Sequence, residues 1–193
     1  MRHHTFAVVL LGLLPACLGP RTETSRYYTL PGSPPAAVAG TPAASLGLGP
    51  VTLPPYLDRR EVATRLGPER VAYSSQDRWA GPLEELFFRA LAEDLRASLP
   101  AREVVRWPWP LGAPPEVAAS VEVLRFEADS TGGATLEARW TVTPRGRPPV
   151  SGETRVHEGG APGDADVSVS ALGRAVGVLA RDIAASAATA VPR

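Results

Sequence analysis

The chain has 193 residues, 44% of them hydrophobic, with 20 basic side chains balanced by 20 acidic ones. That is material for one domain with a sizeable core, and a zero net charge gives no field to draw nucleic acid. Of three His, one Cys and one Met, a single His is all that lies beyond residue 17, so most thiol, metal and His-based chemistries lack their residues.

The amino terminus reads as a processing signal. Arg2 and two His precede an apolar run at 6–14. That run is too short for a permanent bilayer helix, which takes about 20 residues, but it suits a signal-peptide core. Leu14-Pro15-Ala16-Cys17 follows and resembles a bacterial lipobox, in which the thiol receives a diacylglyceryl group and the leader is cut before it. Pro15 is the departure from the usual pattern, and an ordinary secretory signal with an incidental Cys is the plainer alternative. A lone Cys in an exported chain has no disulfide partner, so lipidation gives it a use. On this reading 1–16 is the signal peptide and 17–25 a lipidated tether. Each buried acyl CH₂ contributes roughly 0.8 kcal/mol to anchoring, and 26–193 forms one domain. Leu18 stands where Asp usually marks inner-membrane retention, which favours the outer membrane.

Residues 26–30 form a short β-type run, and 31–45, rich in Pro, Gly and Ala, predicts a flexible loop. A second apolar segment covers 46–53 and ends at Pro54-Pro55. Runs at 61–66 and 70–74 flank Gly67-Pro68-Glu69 as a hairpin-like pair. The clearest helix runs between Pro82 and Pro100. Leu83, Leu86, Phe87, Ala90, Leu91, Leu95 and Leu99 recur at three- and four-residue spacing, and Glu84 and Glu85 suit the positive end of the dipole. Asp94 falls on the apolar face, where a charge is costly unless hydrogen-bonded, and is read as tying down neighbouring backbone. A short strand at 104–107 and a Pro-rich loop to Pro115 come next. The apolar phase then slips between Val123 and Leu124, which predicts a β-bulge.

Ala134, Leu136, Ala138, Trp140 and Val142 alternate with polar residues as the cleanest strand, and 150–157 pairs back to complete an antiparallel meander. A last helix spans about Asp166 to Ala188, capped by Asp164 or Asp166. Leu172, Val176, Leu179 and Ile183 form its stripe, and Gly173 and Gly177 permit close packing. Helices separated by strands without βαβ alternation predict an α+β domain, one mixed or mainly antiparallel sheet with two helices on one face.

No dinucleotide fingerprint, phosphate loop or nucleophile elbow is present. His157 sits at a strand end and reads as a surface residue. The paired carboxylates Glu84/Glu85 and Glu93/Asp94 are ordinary helix-face neighbours. The residues point away from an enzyme, and neither a cofactor nor a metal is expected.

The lipobox Cys17, then Tyr27-Tyr28-Thr29-Leu30-Pro31, then Gly49-Pro50-Val51-Thr52-Leu53-Pro54-Pro55-Tyr56-Leu57-Asp58-Arg59 occur in an order that resembles the PqiC/YmbA-type lipoproteins. Arg78-Trp79-Ala80-Gly81-Pro82-Leu83 at the helix start resembles that family's central motif. These are auxiliary lipoproteins of ABC-type and MCE-type transport systems. The resemblance implies a non-enzymatic accessory subunit of a lipid-transport machine, anchored in the outer membrane and facing the periplasm. It further implies an MCE-domain partner anchored in the inner membrane, and self-association as a possible homo-oligomer. Tyr56, Leu57, Asp58, Arg59 and Trp79 are the candidate partner-binding residues, with Tyr56 and Trp79 read first as core anchors and only second as contacts. The paired prolines are expected to hold 54–59 extended and lower the entropy lost on docking. Two rival functions remain: a periplasmic lipid chaperone with an apolar pocket, and a structural envelope lipoprotein without a transport role.

Overall fold

A computed structural model describes residues 24–34, 36–38, 45–99, 103–110 and 112–190. The lipobox residues Leu14, Pro15, Ala16 and Cys17 lie outside the described residues, as does 39–44 of the expected loop. In chain order the elements are β1 (Arg26–Tyr28), β2 (Leu46–Thr52), β3 (Glu61–Arg65), β4 (Val71–Trp79), α1 (Leu83–Ser98), β5 (Val104–Arg106), β6 (Val117–Asp129), β7 (Ala134–Pro144), β8 (Val150–Glu158) and α2 (Ala165–Ala190). The strands make one mixed eight-stranded sheet among the described residues, and the two helices pack on it and on each other, as the α+β expectation required.

The long strand β6 organises the sheet. Antiparallel β7 follows one edge along 117–128. The other edge is shared: parallel β2 takes 117–122, and parallel β3 takes Ala128 and Asp129. From that fork one branch continues to β5, parallel to β2, and the other through the β3–β4 hairpin to β1. The register slips between Val123 and Arg125, so the phase change visible in the sequence is a bulge. The bulge lets Val121 and Val123 face the helices before it and Phe126 after it. Phe126 meets Phe87 of α1 edge-on, with ring centroids 5.1 Å apart.

Strand β4 runs beyond the expected 70–74 because pairing resumes after an insertion at 74–77. The Ser74 hydroxyl holds that insertion, accepting the Asp77 amide at 2.9 Å and donating to the Asp77 carboxylate at 2.8 Å. Helix α1 buries the apolar face read from its spacing, Asp94 included. Helix α2 is capped by Asp164, whose carboxylate accepts the amides of Asp166 and Val167 at 2.9 and 3.3 Å. Its stripe of Leu172, Val176, Leu179 and Ile183 is buried. Trp140 lies across Gly152 on β8, where a side chain would overlap the ring, and its indole N–H donates to Thr154 at 3.1 Å. Thr154 in turn donates to Asp182 of α2 at 2.6 Å, so one polar chain ties the β7–β8 hairpin to the helix.

Two local expectations are corrected. Residues 31–33 pack as a strap over both helices, because Gly173 and Gly177 leave room for the carbonyls of Pro31 and Ser33. The segment after Pro54 is not extended throughout: Pro54 is (φ −65°, ψ 144°), but Pro55–Leu57 form a turn of 3₁₀ helix. A fixed proline φ near −65° is compatible with a first helical position, so the second proline starts the turn.

Candidate functional site

The turn Pro55–Leu57 joins β2 to β3 at the fork of the sheet. Leu57 is buried and pins it from beneath, while the Leu57 and Asp58 amides donate to the carbonyls of Pro54 and Pro55 at 2.9 and 3.1 Å. Tyr56 is half-buried. Its hydroxyl donates to Glu127 Oε2 at 2.7 Å, and its carbonyl accepts the Tyr73 hydroxyl at 3.0 Å. The turn is therefore clamped to β6 through one tyrosine and to β4 through another.

Glu127 is the anchor of this clamp. It is 1% exposed and accepts from Arg65 Nε on β3, from Arg125 Nη2 at 3.1 Å and from Tyr56. Arg125 also reaches Glu137 on β7 at 2.9 Å. Burial pushes the Glu127 carboxyl up, but Arg65, the Tyr56 hydroxyl and Arg125 together outweigh it and hold it below its ordinary value. The Tyr56 hydroxyl moves the other way: burial first, and then the adjacent Glu127, keep it protonated far above its usual range.

Above the clamp the chain presents charge. The Arg59 side chain is 54% exposed, its guanidinium sits 4.5 Å over the Tyr73 ring and Nε lies 3.8 Å from Glu61. Asp58 beside it is exposed. Of the five candidate residues, Asp58 and Arg59 face solvent, Tyr56 is shared, and Leu57 and Trp79 point into the core. Trp79 also donates its backbone N–H to the Arg60 carbonyl at 2.6 Å, tying β4 to the start of β3. Tyr73, Arg65, Arg125 and the buried Glu127 belong to the same cluster but were not singled out from the sequence. Glu127 and Tyr56 are 71 residues apart, and nothing local marks that pairing.

The turn thus carries one exposed guanidinium just beyond it, held over an aromatic ring. His157 lies elsewhere, on β8, exposed and 3.5 Å from Asp129. No group of three or more His, Cys, Asp or Glu is placed to hold a metal ion among the described residues. An open depression of about 650 Å³ lies across β2, β6, β7 and β8, lined by outward-facing Thr52, Ser120, Glu122, Arg139, Thr141 and Ser151. Pro50, Val121 and Trp140 add apolar surface to it, so its lining is mixed.

Residues 28–184 match a protein family described as the ABC-type transport auxiliary lipoprotein component. Among solved structures, the chain resembles the crystal structure of an uncharacterized protein at TM-score 0.68 and 22% identity, over 84% of this chain and 97% of that one. It also resembles a Xanthomonas campestris protein of the DUF330 family at TM-score 0.68 and 16% identity, over 86% of this chain and 96% of that one. At these identities the likeness shows the fold alone. No curated protein matches the chain in sequence.

Proposed function

The chain belongs to the ABC-type transport auxiliary lipoproteins, and from that premise we propose that it serves a lipid-transport system of the MCE type by docking and not by turnover. In this reading 1–16 is a leader, Cys17 carries the lipid, 17–25 is the tether, and the domain faces the periplasm from the outer membrane. Leu18 after the Cys supports that destination. The partner is an MCE-domain protein reaching from the inner membrane, and the contact surface is the turn bearing Tyr56, Asp58 and Arg59. The observation that carries the proposal is the family match across 28–184, nearly the whole domain downstream of the lipobox. The clamp on Glu127 supports the choice of surface, because a turn already fixed loses little entropy when it docks, and exposed Arg is common at interface hot spots.

Crosslinking in the intact envelope, with labelled palmitate and membrane separation in parallel, tests this reading. Wild type is expected to take up label, sediment with the outer membrane and crosslink to an MCE-domain protein, whereas Cys17→Ser takes up no label and leaves that fraction. Label in both proteins or in neither removes the lipid from Cys17. Recovery with inner-membrane markers reverses the location.

A further inference from the structure

Residues 30–33 cross the paired helices as a strap between β1 and β2. Leu30 is buried. The Pro31 and Ser33 carbonyl oxygens come so close to α2 that a Cβ built on Gly173 or Gly177 would meet them at 2.6 and 2.3 Å. A Cβ on Gly32 would meet Asp94 Oδ1 of α1 at 3.0 Å. Further along, the Val38 amide donates to the Ser98 carbonyl at 2.8 Å. Beneath the strap Asp94 is 0% exposed, and neither of its carboxylate oxygens has a hydrogen-bond partner. The sequence reading expected this carboxylate to tie down backbone. It lies against the strap, but the Ser33 amide offsets its burial only in part and falls outside hydrogen-bond geometry.

We propose that the strap is a pH-operated latch over the α1–α2 seam, shut while Asp94 is protonated and lifted when Asp94 ionises. A charge sealed from water without a partner is strongly unfavourable, and lifting the strap hydrates it. Burial raises the carboxyl from its ordinary 3.8 to about 6, and the neighbouring Glu93 adds to the rise. Because the shut-state value lies above the open-state one, closure is fully favoured below about 4 and that advantage is lost as pH rises through about 6. Glu93 is the charged neighbour on α1. The strap brings no titratable group at 31–33. On α2, Gly173 and Gly177 face the strap, while Arg174 pairs with Glu158 and Asp182 accepts from Thr154, both toward β8. From β1, Arg26 pairs with Asp77.

Backbone hydrogen exchange of the full chain, corrected for intrinsic rates, reads the latch at the Val38 amide, whose hydrogen bond to the Ser98 carbonyl holds the segment after the strap to the end of α1. The open fraction is expected to rise about tenfold between pH 5 and pH 8 and to level off above about 6. Asp94→Asn is expected to hold that amide protected and flat across the range, and Glu93→Gln to move the midpoint down. Gly173→Ala, which fills the seat of the Pro31 carbonyl, should open the strap at every pH while α1 and the β6–β7 ladder stay protected. Protection that does not vary with pH in the wild type overturns the proposal, as does an unchanged pH profile in Asp94→Asn.

Discussion

Leu91→Ala is expected to lower the unfolding free energy by about 2–5 kcal/mol, the range for truncating a fully buried leucine. Leu91 is completely buried in the middle of α1. It lies on the face that carries Phe87, whose ring is fixed edge-on to Phe126 of β6, and Leu95. The walls of the space left behind are a sheet and a second helix, neither of which collapses easily, so the cavity term persists. Arg89→Ala on the exposed side of the same helix should change stability by no more than about 0.5 kcal/mol. Urea unfolding of both variants checks the pair. Equal midpoints would mean that the packed face of α1 is assigned wrongly.

The second large effect is expected at the clamp. Arg65→Ala leaves Glu127 buried with Arg125 and Tyr56 but without its β3 partner. Breaking a buried ion pair costs about 3–5 kcal/mol. The Arg65 side chain is 21% exposed and Arg125 remains, so a loss of about 2–3 kcal/mol is expected near pH 7.5. The pH dependence carries the diagnosis. In the wild type Glu127 is held below its ordinary value, so its contribution is present above the usual carboxylate range and fades as pH falls through the lowered folded value. Without Arg65 burial dominates and the carboxyl rises, so the deficit of the variant should be largest at neutral pH and shrink on acidification. Denaturation at pH 7.5 and pH 4.5 measures this, and an equal deficit at both would rule out a carboxylate-centred clamp.

Much of the fold is legible in the sequence because its signals are local. The α1 wheel placed even Asp94 on the buried side, the alternation of β7 gave its inward phase, and the slip at Val123 marked the bulge. The parallel pairings of β2 and β3 with β6 leave no such trace, because each joins distant segments whose side chains look alike in either order. The strap was misread for a compositional reason: Pro, Gly and Ala describe a loose loop and a packed one equally well. Gly173 and Gly177 did announce a close approach on α2, yet nothing in their spacing names the partner as residues 31–33. At the candidate site the motif residues were visible, but not their directions. Leu57 and Trp79 turn inward and support the turn, while Asp58 and Arg59 turn out. The clamp itself was hidden, since Glu127 reads as an ordinary strand carboxylate until Arg65 and Tyr56, 62 and 71 residues away, are brought to it.

The claim that this lipoprotein works by docking through the Tyr56–Arg59 turn is tested most directly by capture with the folded, acyl-free domain. The wild-type domain is expected to retain the MCE-domain protein from solubilised envelopes in which its presence is verified. A Tyr56→Ala/Arg59→Ala variant, shown to fold by its unfolding transition, is expected to lose most of that capture. Undiminished capture by the variant would remove this turn from the interface, and failure of the wild-type domain to retain any MCE-domain protein would contradict the docking account and favour a lipid-binding chaperone.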